Sequence, residues 1–264
     1  MAMRSHHFFI EQKIKTGLEA NGEIAEKTIR KIAGKIKIEN DELVHQWRNV
    51  LRFQVGQEVI LFDNSGWEFR GVIVSLGNRS AEVKLLESRL VGFAPKFSVF
   101  LYVALTKRNS FEWTLEKGTE LGVMGFVPTI SERSEKKNIN IDRSKNILKE
   151  ASEQSGRVIL PEIFEPASLA ESLENLFPEN HLPGKSVGIS FVLDPDGTQF
   201  EAAKCKEYKN GGRVNVFIGP EGGFSPREIE LFRKRDIPIY SIGEQVLRAE
   251  TAAVAISSIL LAIS

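Results

Sequence analysis

The stretch VFIGPEGGFSPREIE, residues 216–230, joins a β-type run to a glycine-rich turn and then to the start of a helix. In α/β proteins this order usually presents backbone N–H groups and a helix N-terminus to a phosphate. The turn at 219–223 differs from such a cradle because it contains a proline and a glutamate and has no lysine. The kind of ligand that suits this turn therefore indicates both the fold and the function.

Two nucleotide-binding motifs do not fit the turn. The loop G-x-x-x-x-G-K-[ST] requires a lysine and a hydroxyl, and the motif G-x-G-x-x-G follows the first strand of its unit, whereas this turn follows the last strand but one. Glu221 would repel a phosphate by roughly several kcal/mol in a partly dehydrated loop, and Pro220 has no N–H group to offer. The turn therefore predicts a ligand that is neutral or cationic near Glu221. The alternative is a tight strand–helix turn with Gly223 at positive φ and no ligand.

A second polar loop lies in SIGEQVLRAETAAVAI, residues 241–256. A strand is expected to end at Gly243 and the last helix to begin at Thr251, so Arg248 and Glu250 lie in the connection. Ligand sites of open α/β sheets form at the carboxyl ends of the parallel strands. We therefore expect this loop and the glycine turn to face each other across one pocket.

The pattern of the chain changes near residue 95. Before that point, Val/Ile/Phe-rich runs at 58–66, 68–76 and 80–88 are separated by Asn-Ser-Gly and Gly-Asn turns. This spacing predicts a small antiparallel β-barrel. The segment 90–95 has the character of a linker.

After the linker, strand-like and helical segments alternate. Strands are expected at 97–105, 125–130, 158–164, 187–193, 213–219 and 237–243, and helices at 110–122 and 143–157, from Ser168 to about Phe177, near 200–208, and onward from Ser225 and Thr251. Ser168 and Ser225 both head capping boxes, and Gly122 is a typical helix end. The alternation predicts an α/β fold with a doubly wound, mostly parallel sheet. LDPDG at 193–197 is then expected to supply a third wall of the pocket.

The bulk composition excludes several classes of protein. Acidic and basic side chains number 35 each, which excludes a strongly basic nucleic-acid binder, although residues 1–37 are locally basic. Cys205 is the only cysteine and the four histidines lack ligand spacing, so neither a disulfide nor a metal site is expected. The apolar run 252–263 is shorter than the roughly 20 residues that span a bilayer, and no signal peptide is visible. These features predict a cytoplasmic protein without metal or membrane contact.

Several motifs resemble one known family. IGPEGGFSPREI (218–229) followed by SIGEQVLRAETAA (241–253) resembles the RsmE family, the SPOUT-class, S-adenosylmethionine-dependent methyltransferases that modify N3 of a uridine in 16S ribosomal RNA. Further motifs similar to that family occur in the same order and extend the resemblance over nearly the whole chain. They are HQWRNVLRFQVGQEVILFDNSG (45–66), FEWTLEKGTELGV (111–123), SERS (131–134) and EASEQSGR (150–157).

The resemblance implies features that composition and periodicity do not. It implies a PUA-like RNA-binding β-barrel at 1–90 and, at 96–264, a SPOUT methyltransferase domain with a mostly parallel sheet and a C-terminal trefoil knot. It implies that S-adenosylmethionine binds in a bent form against the knot loops, and that a homodimer acts on 16S rRNA in the small ribosomal subunit. Two residues depart from the family pattern, since Ala249 replaces a threonine and His7 replaces an arginine expected to contact RNA.

The resemblance also assigns residues to the cofactor and to the RNA. Those expected to bind the cofactor are Leu193, Gly219, Pro220, Glu221, Gly222, Gly223, Phe224, Ile242, Gly243, Val246, Leu247, Arg248 and Thr251. Those expected to bind RNA are Arg52, Lys107, Arg108, Lys117, Arg133, Gln154 and Arg157, together with the basic N-terminal segment. For each of the RNA residues, a solvated surface position is the alternative.

Methylation of uridine N3 requires an enzyme that stabilises negative charge on the base, because the anion is the better nucleophile. Arg248 is the candidate for this role, and an ion pair with Glu221 or Glu250 is its alternative. Glu250 acts either as a base or as a partner that orients Arg248, and the second role is favoured because an ordinary glutamate is a poor match to an imide proton. Glu221 either holds the ammonium group of the ligand or shapes the turn, and Thr251 is expected to cap the last helix.

The sequence leaves two other functions open. One is a SPOUT enzyme that methylates a ribose 2′-hydroxyl, and the other is a non-catalytic RNA-binding assembly factor that retains the fold.

Overall fold

The computed structural model describes residues 6–14, 29–91, 97–176, 188–201 and 212–262. The chain divides into two compact units, one formed by Met1–Phe93 with Ser152–Ile159 and the other by Ala94–Ala151 with Leu160–Ser264. Most of the predicted linker at 90–95 and of the helix predicted near 200–208 lies outside the described residues.

The first unit contains a five-stranded sheet. Its strands are β1 (His7–Phe9), β2 (Ile29–Ile38), β3 (Glu58–Phe62), β4 (Trp67–Leu76) and β5 (Ala81–Leu90), in the order β1-β3-β4-β5-β2. The pairs β3–β4 and β4–β5 are antiparallel, as the three predicted runs indicate, and β2, which lies outside those runs, also pairs antiparallel with β5. β1, which also lies outside the predicted runs, pairs parallel with β3, so the sheet is mixed and not wholly antiparallel. These two strands are not joined by a hairpin turn, so the connection does not fix their relative direction.

The sequence pattern does not predict the helical segment between β2 and β3. This segment comprises α1 (Asp41–His45) and a π-helical turn (Gln46–Val50), and the Asn40 side chain caps α1. Trp47 is fully buried and its ring lies 5.2 Å from that of Phe8. The segment therefore completes the apolar core of the first unit.

The second unit contains an all-parallel sheet in the part of the chain that the structure describes. Its order is β12-β10-β11-β6-β7-β8, with β9 beside β7. The central strands β6 and β11 bury Val99, Leu101 and Val216 completely, as continuous apolar runs predict. The predicted α/β fold with a mostly parallel sheet is confirmed. The strands are β6 (Phe97–Ala104), β7 (Gly125–Ile130), β8 (Glu162–Ile163), β9 (Ala167–Ser168), β10 (Ile189–Gln199), β11 (Gly212–Ile218) and β12 (Ile239–Ser241).

The predicted stop of α2 and the predicted start of α4 are both confirmed. α2 ends at Gly122, which has a left-handed φ of 108°. The Ser168 amide donates to the Glu171 carboxylate at 2.8 Å, and the Glu171 amide donates back to the Ser168 hydroxyl at 3.2 Å. The helices are α2 (Arg108–Leu121), α3 (Ile141–Ser155), α4 (Leu169–Leu176), α5 (Pro226–Arg233) and α6 (Ala249–Ala262).

The extents of three strands differ from the predictions. Only Glu162–Ile163 of the run 158–164 and Ile239–Ser241 of the run 237–243 pair as strands. β10 extends beyond the predicted end at Leu193, because the chain pairs again with β12 after a register shift. LDPDG is therefore an irregular part of a strand and not a free loop.

Among the described residues, no helix has both the length and the apolar character needed to cross a bilayer. The described His, Cys, Asp and Glu side chains form no group of three or more that fits a metal ion.

Candidate functional site

A cavity of about 330 Å³ lies at the carboxyl ends of β10, β11 and β12. The glycine turn, the loop after β12 and the LDPDG segment all contribute to its lining, as the sequence predicts. Of the residues assigned to the cofactor, those that line the cavity are Leu193, Gly219, Pro220, Glu221, Gly222, Gly223, Phe224, Ile242, Gly243, Val246 and Leu247.

The glycine turn is closed by its own backbone. The Gly223 amide donates to the Pro220 carbonyl at 2.8 Å, and Gly223 has a left-handed φ of 67°. A Cβ atom on Gly219 would lie 3.2 Å from both the backbone nitrogen and the ring of Phe224. Glycine is therefore favoured by conformation at one position and by close approach at the other.

Glu228 holds the glycine turn from behind. Its Oε2 accepts from the Ser225 amide at 2.8 Å, and the Ser225 hydroxyl accepts from the Glu228 amide at 3.2 Å, so the predicted capping box is present. Its Oε1 accepts from the Glu132 amide at 2.9 Å. This buried carboxylate therefore joins the loop after β7 to the start of α5, a link that the sequence does not reveal.

Arg133 makes a second connection between the same two loops. Its Nη1 donates to the Gly222 carbonyl at 2.6 Å, and its side chain lines the cavity. The sequence assigns Arg133 to RNA, whereas the structure places it in the wall of the cavity beside the glycine turn.

Arg248 lies at the rim of the cavity and not in its lining. Its side chain is exposed, and its neighbours Leu247 and Ala249 both line the cavity. No ion pair joins Arg248 to Glu221 or Glu250 in the described part of the chain, so the structural alternative for this arginine is not realised.

The prediction that Thr251 begins and caps the last helix is wrong. α6 begins at Ala249, because the Ala252 amide already donates to the Arg248 carbonyl at 2.9 Å. Thr251 is exposed within the first turn and does not line the cavity. In the same turn, the Oε2 atom of Glu250 is buried and has no hydrogen-bond partner among the described residues.

Comparison with known proteins identifies the family. Residues 94–261 match the RNA methyltransferase domain, and residues 48–86 match the RNA methyltransferase PUA domain. The chain is 36% identical to the ribosomal RNA small subunit methyltransferase E of Aquifex aeolicus, over 68% of this chain and 73% of that protein. It is 27% identical to the enzyme of the same name from Rickettsia conorii, over 83% of this chain and 86% of that protein. The chain belongs to the ribosomal RNA small subunit methyltransferase E family.

Solved structures agree with this family at the level of the fold. The family member from Neisseria gonorrhoeae, bound to S-adenosylmethionine, superposes with a TM-score of 0.79 at 21% identity and covers 98% of each chain. A methyltransferase from Legionella pneumophila, in complex with the same cofactor, superposes with a TM-score of 0.73 at 25% identity, also over 98% of each chain. The SPOUT-type parallel sheet and the PUA-like N-terminal unit of the RsmE family are thereby confirmed, and the chain is an RNA methyltransferase.

The charges of the lining in this family member favour a cationic ligand. Among the described residues, the lining contains three carboxylates, from Asp194, Asp196 and Glu221, and one cationic side chain, Arg133. Negative charge is therefore in excess. The Asp196 amide donates to Asp194 Oδ1 at 3.0 Å, which holds the two aspartates in a tight turn. No residue pattern marks these aspartates individually, although their place directly after a buried apolar run is a signal that identifies them.

The RNA-binding candidates of the second unit, other than Arg133, already have partners. Lys107, Arg108 and Lys117 lie at the start or along the exposed side of α2. Their carboxylate partners are Glu135 for Lys107 at 3.6 Å, Glu112 for Arg108 at 2.8 Å, and Glu116 and Glu120 for Lys117 at 2.8 and 2.9 Å.

The candidates of the first unit differ in exposure. Arg52 and Gln154 are exposed, and Arg52 has a left-handed φ of 56°. Arg157 is partly buried, its Nε donates to the Ile159 carbonyl at 2.6 Å, and burial lowers its pKa to about 10. Arg157 therefore stays cationic at neutral pH while also ordering the turn after α3.

Proposed function

We propose that the protein transfers a methyl group from S-adenosylmethionine to N3 of a uridine in 16S ribosomal RNA, within the small ribosomal subunit. Membership of the ribosomal RNA small subunit methyltransferase E family supports this proposal. The observation that carries it is that the glycine turn, the loop after β12 and the LDPDG segment line one cavity together.

The residues of the cavity fit S-adenosylmethionine. A volume of about 330 Å³ lies in the usual range for small-molecule sites, about 300–1,000 Å³. The excess of carboxylates from Asp194, Asp196 and Glu221 suits a ligand with ammonium and sulfonium charges. Gly219 and Gly223 allow the backbone to approach the ligand closely. When bound, the cofactor supplies an electrophilic methyl group on a positively charged sulfur.

The protein's own contribution to the reaction is positioning and charge stabilisation. Arg248 has no ion-pair partner among the described residues, and it is exposed between Leu247 and Ala249, which both line the cavity. We assign Arg248 the role of stabilising the negative charge that develops on a uracil carbonyl as N3 loses its proton. Glu250 makes no ion pair with Arg248 among the described residues, and its buried Oε2 has no hydrogen-bond partner there, so we do not assign it the role of orienting Arg248.

Under this proposal the two parts of the chain have different tasks. Residues 1–90 form the RNA-binding domain and residues 96–264 the methyltransferase domain, whose last connection passes through a trefoil knot. The active unit is a homodimer, and a substrate in the small ribosomal subunit places the enzyme in the cytoplasm. Arg52, Gln154 and Arg157 contact RNA from the first unit.

Transfer of a labelled methyl group to small ribosomal subunits that lack the modification tests the proposal. The wild type is expected to bind S-adenosylmethionine in calorimetry and to label the 16S rRNA. Arg248→Ala is expected to reduce turnover about a hundredfold and to change the cofactor affinity little, whereas the exposed control Arg227→Ala leaves both unchanged. A wild type that neither binds the cofactor nor labels the RNA would instead indicate a non-catalytic assembly factor.

A further inference from the structure

A second cavity, of about 520 Å³, lies where α2 and α3 begin. Thr106 follows β6, and Asn140 precedes α3 in the connection from β7, so both belong to the carboxyl edge of the sheet. Because β6 is the parallel neighbour of β11, this edge is the one that carries the cofactor cavity. The second cavity shares no lining residue with the first.

One carboxylate in this cavity holds two arginines side by side. Glu112 accepts from Arg108 Nε at 2.8 Å, and from Arg143 Nε and Nη2 at 2.6 and 2.9 Å. The Arg108 Nη1 and Nη2 atoms and the Arg143 Nη1 atom make no hydrogen bond within the described residues. Two guanidinium groups are therefore fixed with donors to spare, which is the arrangement that binds the oxygens of a phosphate.

The charges around the arginines also favour an anion. Arg108, Arg143 and Lys136 line the cavity against the single carboxylate of Glu112, which leaves two positive charges in excess. Lys136 is exposed and makes no ion pair in the part of the chain that the structure describes. Ion pairs that only stabilised the fold would not require Lys136 as a third cation.

The start of α2 adds donors to the same place. Its N-cap residue, Lys107, makes no side-chain capping bond, and its first turn contains no acidic residue. Its first N–H groups are therefore uncapped beside the arginines. Thr106 is 2% exposed, and within the described residues its hydroxyl makes one long hydrogen bond, 3.4 Å to the Lys107 carbonyl.

We propose that this cavity binds a backbone phosphate of the RNA substrate next to the nucleotide that enters the cofactor cavity. Arg108 and Arg143 contact the phosphate oxygens, Lys136 supplies further positive charge, and Glu112 is a positioning residue that holds both guanidinium groups through its hydrogen bonds. The inference rests on the proposed function, because it takes the RNA strand as the source of the phosphate. It reassigns Arg108 from a general RNA contact to one member of a defined subsite and adds Arg143 and Lys136.

The test compares a double variant, Arg108→Gln with Arg143→Gln, with the control Lys145→Gln, which removes an exposed cation from α3 outside the cavity. Binding to unmodified small ribosomal subunits is measured across a KCl series, and methyl transfer is measured on the same particles. The double variant is expected to raise KM for the particles about tenfold with kcat within about twofold. Its plot of log affinity against log salt is expected to be about one unit shallower. The control retains the wild-type slope, and the affinity for S-adenosylmethionine is unchanged in every variant.

Further outcomes distinguish the possible failures. A wild type that does not bind or methylate the particles contradicts the proposed function, whereas an active wild type with a double variant equal to Lys145→Gln overturns the phosphate subsite alone. If the double variant fails to fold, Lys136→Gln replaces it, since Lys136 makes no hydrogen bond within the described residues, and a wild-type salt slope would then overturn the inference. A free phosphate is the other source of this chemistry. If inorganic phosphate or AMP raises the melting temperature of the wild type but not of the double variant, while particle binding is equal, the assignment to RNA is wrong.

Discussion

The Glu228 carboxylate accepts a hydrogen bond from the Glu132 amide, 96 residues earlier in the chain, at 2.9 Å. The same carboxylate accepts from the Ser225 amide, so one buried group fixes the loop after β7 and the end of the glycine turn together. Arg133, which follows Glu132 in the chain, donates a hydrogen bond to the Gly222 carbonyl. The wall of the proposed cofactor cavity is therefore held by contacts between segments that are distant in sequence.

Replacing Glu228 with alanine should loosen this wall. We expect the free energy of unfolding to fall by about 2 kcal/mol, because the buried carboxylate no longer accepts hydrogen bonds from the Ser225 and Glu132 amides and both donors lose their partner. We expect the Kd for S-adenosylmethionine to rise as well, because the glycine turn is no longer anchored. Urea unfolding and calorimetry measure the two effects. Glu230→Ala, an exposed change on the same helix, should alter neither, and an unchanged Kd in Glu228→Ala would show that this anchor is not needed for cofactor binding.

Of two glycines that line the cavity, Gly223 should lose stability on replacement by alanine and Gly243 should not. Gly223 has a φ of 67°, so Gly223→Ala should reduce the free energy of unfolding by about 1 kcal/mol. A Cβ atom on Gly243 meets no atom within 4 Å and its φ lies outside the left-handed region, so Gly243→Ala should leave stability unchanged or raise it by up to about 1 kcal/mol. Urea unfolding without ligand compares them, and equal effects would contradict the conformational role of Gly223.

Arg133 offers a direct choice between a cofactor role and an RNA role. Arg133→Ala removes the hydrogen bond to Gly222, so we expect the Kd for S-adenosylmethionine to rise about threefold to tenfold, with little change in affinity for the small subunit. Lys137→Ala, an exposed cation nearby that lines neither cavity, serves as the control. If particle binding weakens while cofactor binding is unchanged, Arg133 is an RNA contact, as the sequence motif suggests.

The ion pairs of Glu112 predict a dependence of stability on pH. Hydrogen bonds from Arg143, which outweigh partial burial, and further bonds from Arg108 hold the pKa of Glu112 at about 2, below its ordinary value of 4.5. Because the folded-state pKa is lowered, the stabilisation is complete above about pH 4.5 and is lost as the pH falls towards 2. The difference in free energy of unfolding between wild type and Glu112→Gln should therefore shrink over that range. It should also shrink in high salt, and a difference that is independent of pH would contradict the assignment.

The elements that depend on local signals were predictable from the sequence. The Ser225–Glu228 capping box, the helix end at Gly122 and the apolar run of β6 each depend on neighbouring residues, and the structure confirms all three. The pocket was predictable because carboxyl ends of parallel strands lie at one edge of a sheet. The family resemblance is also confirmed.

The features that were not predictable depend on contacts between distant segments. The parallel pairing of β1 with β3 is set by tertiary contacts and not by a turn. The start of α6 at Ala249 depends on the Arg248 carbonyl, so a threonine two residues later gave a misleading cap signal. The place of Arg133 in the cavity wall and the arginine pair on Glu112 likewise join residues whose relation has no sequence pattern. The trefoil knot, the homodimer and the roles of the site residues stay predictions.

The position of the transferred methyl group shows whether N3 of a uridine is the acceptor. Small ribosomal subunits that lack the modification are incubated with the enzyme and S-adenosylmethionine, and the 16S rRNA is then examined by reverse transcription and by mass spectrometry of its nucleosides. We expect a single new reverse-transcription stop at a uridine and the appearance of N3-methyluridine, because a methyl group on N3 blocks Watson–Crick pairing. Methyl incorporation without a stop, with a 2′-O-methylnucleoside as the product, would contradict transfer to N3.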